Sequence, residues 1–586
     1  MTVLKSSAAP IIYGGGKPSG SFASQRQLAW VRPSDWLALT APSASEQKFV
    51  GLFAVFNQSH NHVALRASVS SGTYTVDWGD GTSPQTYTSN TTAEYNYSYS
   101  SLNSNTLSSR GYRQAIVTVT PTTSGATFSL FGLNYRHSAR SSTSTAPPWL
   151  DVAISAPNAT TVRLGGTDSS STVAVKLTSL EQATIVAHNT TTMAYMFANC
   201  FSLQSVPLFN TAAVTTMSNM FNGCSSLKSV PVFNTAAVTT MASMFVDCRS
   251  LQSVPFFNTA AVTTMSNMFQ NCRSLQSVPL FNTAAVTTMA YMFQYCYNLQ
   301  SVPLFNTASV TNMAYTFNVC TSLESVPLFN TASVTTMQYM FGGCSSLQSV
   351  PLFNTASVTN MGNMFDGCTC LQSVPLFNTA AVTDMSTMLA STLISTVPLF
   401  NTASVTTVNN MLWTCGLLRE IPELTLSSIS SAANNSLGIT TNAGSVGKAK
   451  LTGMRWSLAF TNAGMGATEL DEMYTALAVL NPNVTNASGN GTTVTYTVDD
   501  ISAFVAARTV TMTGINPVAY NLASATIATV NIANKTFTVT NAATGAFVSG
   551  GVATIQDNKT ITVAGNPGTA SDTPSIATNK GWTVSG

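Results

Sequence analysis

The sequence predicts a mainly β protein whose centre is a solenoid of 24-residue coils. The clearest sign is the phrase V-P-x-F-N-T, whose Asn recurs every 24 residues from Asn210 to Asn378. Eight cysteines keep the same step from Cys200 to Cys368. A fixed period of this length is typical of repeat proteins, in which each coil packs only on its neighbours. Function is therefore expected on the surface of the stack and at its ends.

Within one coil, the apolar residues define a side that faces the core. Four of them fall at i, i+3, i+4 and i+7: Met217, Met220, Phe221 and Cys224. This spacing predicts one face of a short helical turn. An extended stretch follows, in which Leu227 and Val230 recur in every coil. Equivalent side chains, such as Phe293 for Phe221, can be buried if coils stack about 4.8 Å apart as in a parallel ladder.

The recurring Asn and Cys residues have structural interpretations. Stacked Asn side chains are expected to pair the backbone groups that a sharp turn leaves open. All ten cysteines lie in the repeats, including Cys370 and Cys415, and no histidine stands near them. Clustered zinc ligands are therefore absent from the pattern. We expect buried, reduced thiols that act as small apolar side chains.

The repeat phrase F-N-T-A-x-V-T-x-M-x-x-M-F-x-x-C-x-x-L-x-S-V-P spans residues 191–425. It resembles the leucine-rich repeats of the BspA-like surface-protein family. Members of that family are mostly surface proteins of microbial cells or virions. The resemblance implies a leucine-rich-repeat solenoid that serves as a non-enzymatic binding or display scaffold.

Three segments precede the repeats. Residues 1–45, with the Gly-rich stretch 14–20, are predicted to form an arm for attachment. Residues 46–124 are predicted to form a β-sandwich, and their phrase V-D-W-G-D-G-T resembles the immunoglobulin-like PKD module. Trp78 is then expected in the core, and Asp77 and Asp80 either shape a turn or bind Ca²⁺. Residues 125–190 are placed to cap the first coil.

Residues 426–586 are predicted to be a β-rich, repeat-like end region. The phrase N-K-T-F-T-V at 534–539 returns as N-K-T-I-T-V at 558–563, again 24 residues later. One helix is predicted after the N-cap Thr468, with Leu470 and Tyr474 on its apolar face. The closing residues resemble the ends of bacteriophage tail-fibre proteins.

Composition excludes several functions. Charged residues make up only 8% of the chain, against roughly 25% in an average soluble protein. With 23 basic and 21 acidic residues, no basic patch for nucleic acid is expected. There is no apolar run long enough to span a membrane. His60-Asn61-His62 could suggest a metal site, but we favour a surface loop.

Catalytic patterns are missing as well. With four histidines and no G-x-S-x-G, H-E-x-x-H or P-loop, we expect neither an enzyme nor a cofactor. The paired carboxylates Asp499 and Asp500, or Glu469 with Asp471 and Glu472, could suggest a glycosidase. We interpret them as solvated surface residues.

The leading functional hypothesis is a bacteriophage virion protein: a tail fibre, a spike or a capsid decoration. The first residues lack the apolar stretch of a secretory signal, which favours a virion protein over a secreted one. The alternative is a BspA-like adhesin on a microbial cell surface, and a polysaccharide-degrading tail protein is a third possibility. Expected partners are other virion proteins, a host-surface glycan or protein, or a second copy of the chain.

The candidate ligand-binding surface lies between the core positions. Stacked coils would align Tyr291, Tyr315 and Tyr339 in one row. Four further residues are expected nearby: Tyr295, Tyr297, Arg249 and Arg273. Aromatic side chains with Arg are common in recognition surfaces, because they offer rigid area and directed hydrogen bonds. The alternative is that these tyrosines cover the turns or contact a neighbouring subunit.

Overall fold

The fold is described from a computed structural model. It describes residues 31–57, 61–139, 147–165, 177–426, 428–429, 448–452, 458–459, 470–471, 474–475, 482–500, 504, 509–531, 533–544, 546–555, 560–562, 572–580 and 582–585. The predicted Gly-rich stretch 14–20, His60, the predicted N-cap Thr468, Glu469 and Glu472 lie outside these residues. The described part is mainly β with few helices, as the sequence predicts.

Two sheets precede the repeats. Their strands are β1 Lys48–Val55, β2 His62–Val69, β3 Thr73–Asp77, β4 Gln85–Thr88, β5 Thr92–Asn96, β6 Arg113–Pro121, β7 Phe128–Gly132, β8 Trp149–Ala156, β9 Thr161–Arg163 and β10 Gln182–His188, with 3-10 helices at Tyr99–Ser101 and Ser104–Thr106. One sheet has the order β10-β8-β1-β6-β3-β4, and the other has the order β5-β2-β7-β9. Because β8, β9 and β10 pair within these sheets, the predicted boundary at residue 124 does not coincide with a break in the fold.

Aromatic side chains fill the space between the two sheets. The rings of Phe49 and Phe131 lie 4.6 Å apart, and Trp149 meets Phe49 edge-on at 5.5 Å. Trp78 is fully buried, as predicted. The turn after it needs glycine, because Gly79 has a φ of 72° and a Cβ there would lie 2.2 Å from the carbonyl oxygen of Ile116.

The described part of the predicted arm is packed rather than free. Trp36 is buried against Leu52 and Tyr112 on the outer face of the six-stranded sheet, and its indole donates to the Tyr112 hydroxyl. Arg32 forms an ion pair of 2.7 Å with Asp151. The arm prediction therefore needs correction from residue 31 onward, because one buried Trp and one ion pair attach this segment to the sheet.

Residues 191–425 form a stack of coils, here called the coil stack. Single parallel bridges join Thr192, Thr216, Thr240 and Thr264 in turn and continue at the same step to Asp384. The phenylalanines stack as well: Phe269 and Phe293 have centroids 5.6 Å apart and nearly parallel rings. The predicted core positions are confirmed, since Met220, Phe221, Leu227 and Val230 are buried and Phe293 is fully buried.

The predicted short helical turns are wrong. The segment 215–225 is a string of turns, because Asn219 and Gly223 have left-handed backbone with φ of 57° and 80°. Alternate N–H groups point in two directions. Those of Asn219 and Phe221 donate to the following coil, whereas that of Met220 donates to Met217 in its own coil. An α-helix would satisfy these groups within one segment, so this geometry instead ties each coil to its neighbour.

In the recurring phrase N-T, the two residues have different structural roles. The Asn210 side chain accepts the N–H of Ala212 within its own coil and is exposed. The neighbouring Thr211 is buried, and its hydroxyl donates to the Asn234 carbonyl in the next coil at 2.8 Å. The structural role of Asn is confirmed, but Thr rather than Asn carries the contact between coils.

The thiols from Cys200 to Cys368 are buried and free, as predicted. From Cys224 onward, each donates to a phenylalanine carbonyl one coil earlier. Cys296, for example, donates to Phe269 at 3.1 Å. Cys370 is an exception to the prediction, because it is exposed.

The described C-terminal region is β-rich, as predicted. Its elements are β11 Glu420–Thr425, β12 Lys448–Thr452, β13 Leu458–Ala459, β14 Val484–Gly489, β15 Thr493–Val498, β16 Thr509–Thr513, a 3-10 helix Val518–Tyr520, β17 Leu522–Asn531, β18 Thr536–Thr540, β19 Val552–Ile555, β20 Thr560–Thr562, α1 Ser575–Thr578 and β21 Thr583–Ser585. The two N-K-T phrases do not continue the coils. Strand β18 pairs antiparallel with β15 and β17, while β20 belongs to another sheet.

Candidate functional site

The predicted tyrosine row is present. The rings of Tyr291 and Tyr315 lie 4.6 Å apart at 11°, and those of Tyr315 and Tyr339 lie 4.7 Å apart at 15°. All three side chains are half-buried. Their spacing follows the coil spacing, because each backbone N–H donates to the next coil, as from Tyr291 to Ala314. The row is thus held by the same hydrogen bonds that stack the coils.

The backbone at these tyrosines is left-handed. The φ angles are 61° at Tyr291, 59° at Tyr315 and 53° at Tyr339. Asn and Gly tolerate this region, whereas a bulky side chain there is unusual and costs about 1–2 kcal/mol. In other coils, Asn219 and Asn363 occupy the equivalent position with φ of 57°. Tyr195, Ser243 and Thr387 occupy it in further coils with φ of 60°, 58° and 56°. The left-handed backbone therefore belongs to the coil path, and residues other than Asn or Gly carry some strain there.

Stacking determines what the row offers to a ligand. The middle ring, Tyr315, is covered on both faces by its neighbours, so ring edges and hydroxyls are the groups left for recognition. Burial raises the pKa of the Tyr315 hydroxyl, with a smaller contribution from Tyr291 and Tyr339. Burial and the nearby Asp366 raise the pKa of Tyr339. Both hydroxyls therefore remain protonated donors at neutral pH.

A second aromatic group includes three of the other predicted residues. The rings of Tyr295 and Tyr297 lie 6.4 Å apart. The Arg273 guanidinium lies over the Tyr297 ring, 5.4 Å from its centroid, and its Nε donates to the Asn271 side chain at 2.8 Å. This arrangement combines a cation with an aromatic face. Tyr295 also has left-handed backbone, with φ of 61°.

Arg249 forms a different contact. It is exposed and makes an ion pair of 3.1 Å with Asp247 in its own coil. Asp247 accepts from the Asn271 side chain of the next coil as well. Part of the charge of Arg249 is thus balanced locally.

The other predicted polar groups shape local structure. Asp77 accepts the N–H of Gly79, and Asp80 accepts both the N–H and the hydroxyl of Thr82. These contacts support the turn interpretation. Asn61 is buried and exchanges two hydrogen bonds with the Phe56 backbone, while the rings of His62 and His137 lie 4.6 Å apart. Among the described residues, no group of three His, Cys, Asp or Glu side chains could hold a metal ion.

Two depressions among the described residues are lined without charged side chains. One depression of about 470 Å³ is lined by uncharged residues that include Gln47 and Asn158. Another, of about 550 Å³, lies where β10 meets the first coils and is lined by Leu208, Val232 and other uncharged residues. In the part of the chain that the structure describes, no helix is long and apolar enough to cross a membrane.

Sequence reasoning missed one surface feature. The position x in V-P-x-F-N-T is Leu, Val or Phe in every coil, and its side chain is exposed rather than buried. Leu208 and Phe209 are adjacent apolar residues in an extended stretch, where neighbouring side chains point to opposite faces. This was the signal that one of the two would be exposed.

A family model described as "Mycoplasma protein of unknown function, DUF285" matches the repeats. The matched segments are residues 191–302, 276–373 and 345–435. The matched part begins at the predicted start of the repeats. No curated protein matches the chain.

Solved structures similar to this chain include bacterial leucine-rich-repeat proteins. A leucine-rich cell surface protein from Faecalibacterium prausnitzii is 16% identical, with 56% of this chain and 91% of that chain covered and a TM-score of 0.31. A leucine-rich-repeat protein of T. pallidum is 19% identical, with 42% and 84% covered and a TM-score of 0.20. One from Eubacterium ventriosum is 16% identical, with 38% and 62% covered and a TM-score of 0.22.

These matches differ in what they say about the three predicted resemblances. The family model matches the residues that carry the BspA-like resemblance. The PKD-like module and the tail-fibre-like C-terminus have no support among these matches and stay predictions.

Proposed function

We propose that the chain is a non-catalytic recognition and display scaffold at a microbial cell surface, of the adhesin type. The coil stack supplies a rigid support, and the tyrosine row of Tyr291, Tyr315 and Tyr339 supplies the contact surface. Its ligand is a glycan or a protein with hydrogen-bond acceptors that match the row of phenol hydroxyls. Tyr295, Tyr297 and Arg273 extend the same surface.

The observation that carries this proposal is the uninterrupted stack of three tyrosines at a left-handed position. Three consecutive coils hold Tyr there, whereas the other coils hold Asn or the single residues Tyr195, Ser243 and Thr387. Strained residues persist when the surrounding structure holds them, and they concentrate at functional sites. Each stacked aromatic pair contributes about 0.5–1.5 kcal/mol of stabilisation. Ring stacking therefore offsets part of the strain energy of the left-handed backbone.

The cell-surface location is favoured over the virion location. The neighbouring structures include a bacterial cell surface protein, and nothing among the reported matches supports a tail fibre, spike or capsid decoration. The non-enzymatic character rests on uncharged depressions and on the structural contacts of Asp77 and Asp80.

The test uses the full chain and its variant Tyr291→Asn/Tyr315→Asn/Tyr339→Asn. Both are labelled and applied to a printed glycan array and to a display library of microbial surface proteins. We expect the native chain to bind a subset of probes and the variant to lose at least tenfold in affinity. The matched control is Asn219→Ser, which changes the same column away from the row. Equal binding by the triple variant would remove the row from the proposal.

Location is tested separately. Antibodies against the chain are applied to fractions of the producing culture. Signal in the cell envelope supports the adhesin proposal, whereas signal at fixed stoichiometry in purified virus particles would replace it with the virion hypothesis.

A further inference from the structure

The coil stack carries a continuous exposed apolar column, here called the outer stripe. Its nine members are 57–65% exposed: Leu208, Val232, Phe256, Leu280, Leu304, Leu328, Leu352, Leu376 and Leu399. Each belongs to the position x of V-P-x-F-N-T, so one apolar side chain stands out from every coil. The next residue in each phrase, such as Phe281, is buried.

The outer stripe differs from ordinary surface apolar residues by its continuity. Single exposed apolar side chains need no explanation, but a contiguous exposed apolar patch marks an interaction site. Nothing in the hydrophobic core requires these residues, because Phe281 and its equivalents already point inward from the same extended segment. A Ser or Thr at this position would serve the coil equally well. The outer stripe is therefore best explained by a partner.

The charges beside the outer stripe identify the partner. The nine segments that carry it, from residues 204–213 to residues 395–404, contain two charged residues. These are Lys228 and Glu324, which are exposed, have opposite charge and lie 96 residues, or four repeats, apart. Both occupy the same position in their coils, four residues before a member of the outer stripe. A second copy that runs antiparallel would bring each charge opposite its complement.

We propose that two copies of this chain pack antiparallel through their outer stripes. The two-fold axis crosses the outer stripe at Leu280, which then faces Leu280 of the second copy. The same rotation places Lys228 opposite the second copy's Glu324, and Glu324 opposite its Lys228. The interface is isologous, the usual arrangement of homodimers, because one patch serves both copies.

The available area is sufficient for such a dimer. Seven coils, from the one with Leu208 to the one with Leu352, are paired in this register. At about 4.8 Å per coil and 3.3 Å per extended residue, their exposed face measures roughly 34 Å by 16 Å. This is on the order of 550 Å² before side-chain relief and the flanking residues are included. A standard interface buries about 800 Å² on each partner, so the outer stripe with its borders reaches that range.

The first test is the oligomeric state of the full chain. We expect sedimentation equilibrium at micromolar concentration to give a dimer for the native protein and a monomer for Leu280→Lys, which places two like charges on the axis. Because Leu280 is exposed, the variant is expected to keep its circular dichroism and melting temperature. The matched control is Val518→Lys, an equally apolar and 76% exposed residue outside the outer stripe, which is expected to stay dimeric.

The second test checks the antiparallel register. Lys228→Glu and Glu324→Lys should each weaken the dimer at least tenfold, and the double variant should restore native association, because it re-forms both opposite pairs. A monomeric native chain, or a dimer that survives Leu280→Lys, would overturn the proposal. Loss of association in both single variants without rescue in the double variant would overturn the proposed register.

Discussion

The two-sheet region and the coil stack bury phenylalanine in opposite ways. Phe49 meets unlike partners, Phe131 and Trp149, that come from distant strands. Phe293 meets its own equivalents, Phe269 and Phe317, on both sides. The first arrangement depends on long-range strand register, and the second depends only on the repeat. Stability should therefore be shared across the two-sheet region but set coil by coil in the stack.

The largest effect that separates the two regions is expected at alkaline pH. Burial raises the pKa of the stacked thiols, to about 12 for Cys344. A group whose pKa is higher in the folded state contributes stability that is complete below its unfolded pKa and is lost as pH rises toward the folded value. Each thiol then costs about 1.4 kcal/mol per pH unit above roughly pH 8.5.

We therefore expect the coil stack to unfold above about pH 9, ahead of the two-sheet region. Burial raises the pKa of Tyr74 in that region to about 12, so its loss of stability begins only above roughly pH 10. The measurement is thiolate absorbance together with circular dichroism during an alkaline titration. The matched variant is Cys272→Ser/Cys296→Ser/Cys320→Ser, which removes three ionisable groups but keeps a donor for the phenylalanine carbonyls. A titration midpoint that is unchanged in this variant would contradict the explanation. Thr392 shows that a hydroxyl is compatible with this position, since it donates to Leu389 at 2.6 Å.

The next effect compares two core truncations. Phe293→Ala and Trp149→Ala should each cost about 3–5 kcal/mol, since both side chains are fully buried. The two variants should differ in where along the chain the loss of stability appears. Hydrogen exchange is expected to accelerate in the coils next to Phe293 only, but throughout both sheets after loss of Trp149. Global acceleration in both variants would show that the coil stack is one cooperative unit.

A smaller effect tests the contact between coils. Thr283 is buried and its hydroxyl donates to the Asn306 carbonyl at 2.7 Å. Thr283→Val leaves that carbonyl without this donor, so urea unfolding should report a loss of about 1–3 kcal/mol. The control is Thr287→Val, because the exposed Thr287 hydroxyl, which donates to Thr263 at 3.2 Å, can be replaced by water. We expect less than about 0.5 kcal/mol there. Equal losses of unfolding free energy in the two variants would show that the buried Thr283 hydroxyl has no special role in the contact between coils.

The sequence predicted the buried side of the coil well, because apolar identity repeats at Met220, Phe221 and Leu227. It did not predict the backbone path. The spacing of apolar residues at i, i+3, i+4 and i+7 fits a helical turn, yet the same spacing fits a string of turns when left-handed residues fall between them. Asn219 and Gly223 are the signal for those left-handed positions, and Tyr291 in the same column conceals it.

Regions without a repeat were harder to predict. Trp36 begins an apolar run of four residues, 36–39, which is too short to show a period, so its packing against Leu52 could not be inferred. The antiparallel pairing of β18 was not predicted, because the N-K-T phrase recurs after 24 residues and so imitates the coil repeat. The same strand sequence can recur in a segment that does not form a coil. At the candidate site, the sequence predicted the row of Tyr291, Tyr315 and Tyr339. The left-handed backbone at this column could be recognised only from the backbone angles.

The central claim is that the tyrosine row serves recognition rather than stability. It is tested most directly by the free energy of unfolding of Tyr291→Asn/Tyr315→Asn/Tyr339→Asn, measured in urea beside the native chain. Relief of the left-handed backbone gains about 1–2 kcal/mol per residue at most, and the two lost aromatic pairs cost about 0.5–1.5 kcal/mol each. Over three residues the gain is up to about 3–6 kcal/mol and over two pairs the cost is about 1–3 kcal/mol, so we predict a variant that is as stable as the native chain or up to about 5 kcal/mol more stable. A loss of more than about 3 kcal/mol would contradict the claim, because the row would then be part of what holds the coils together.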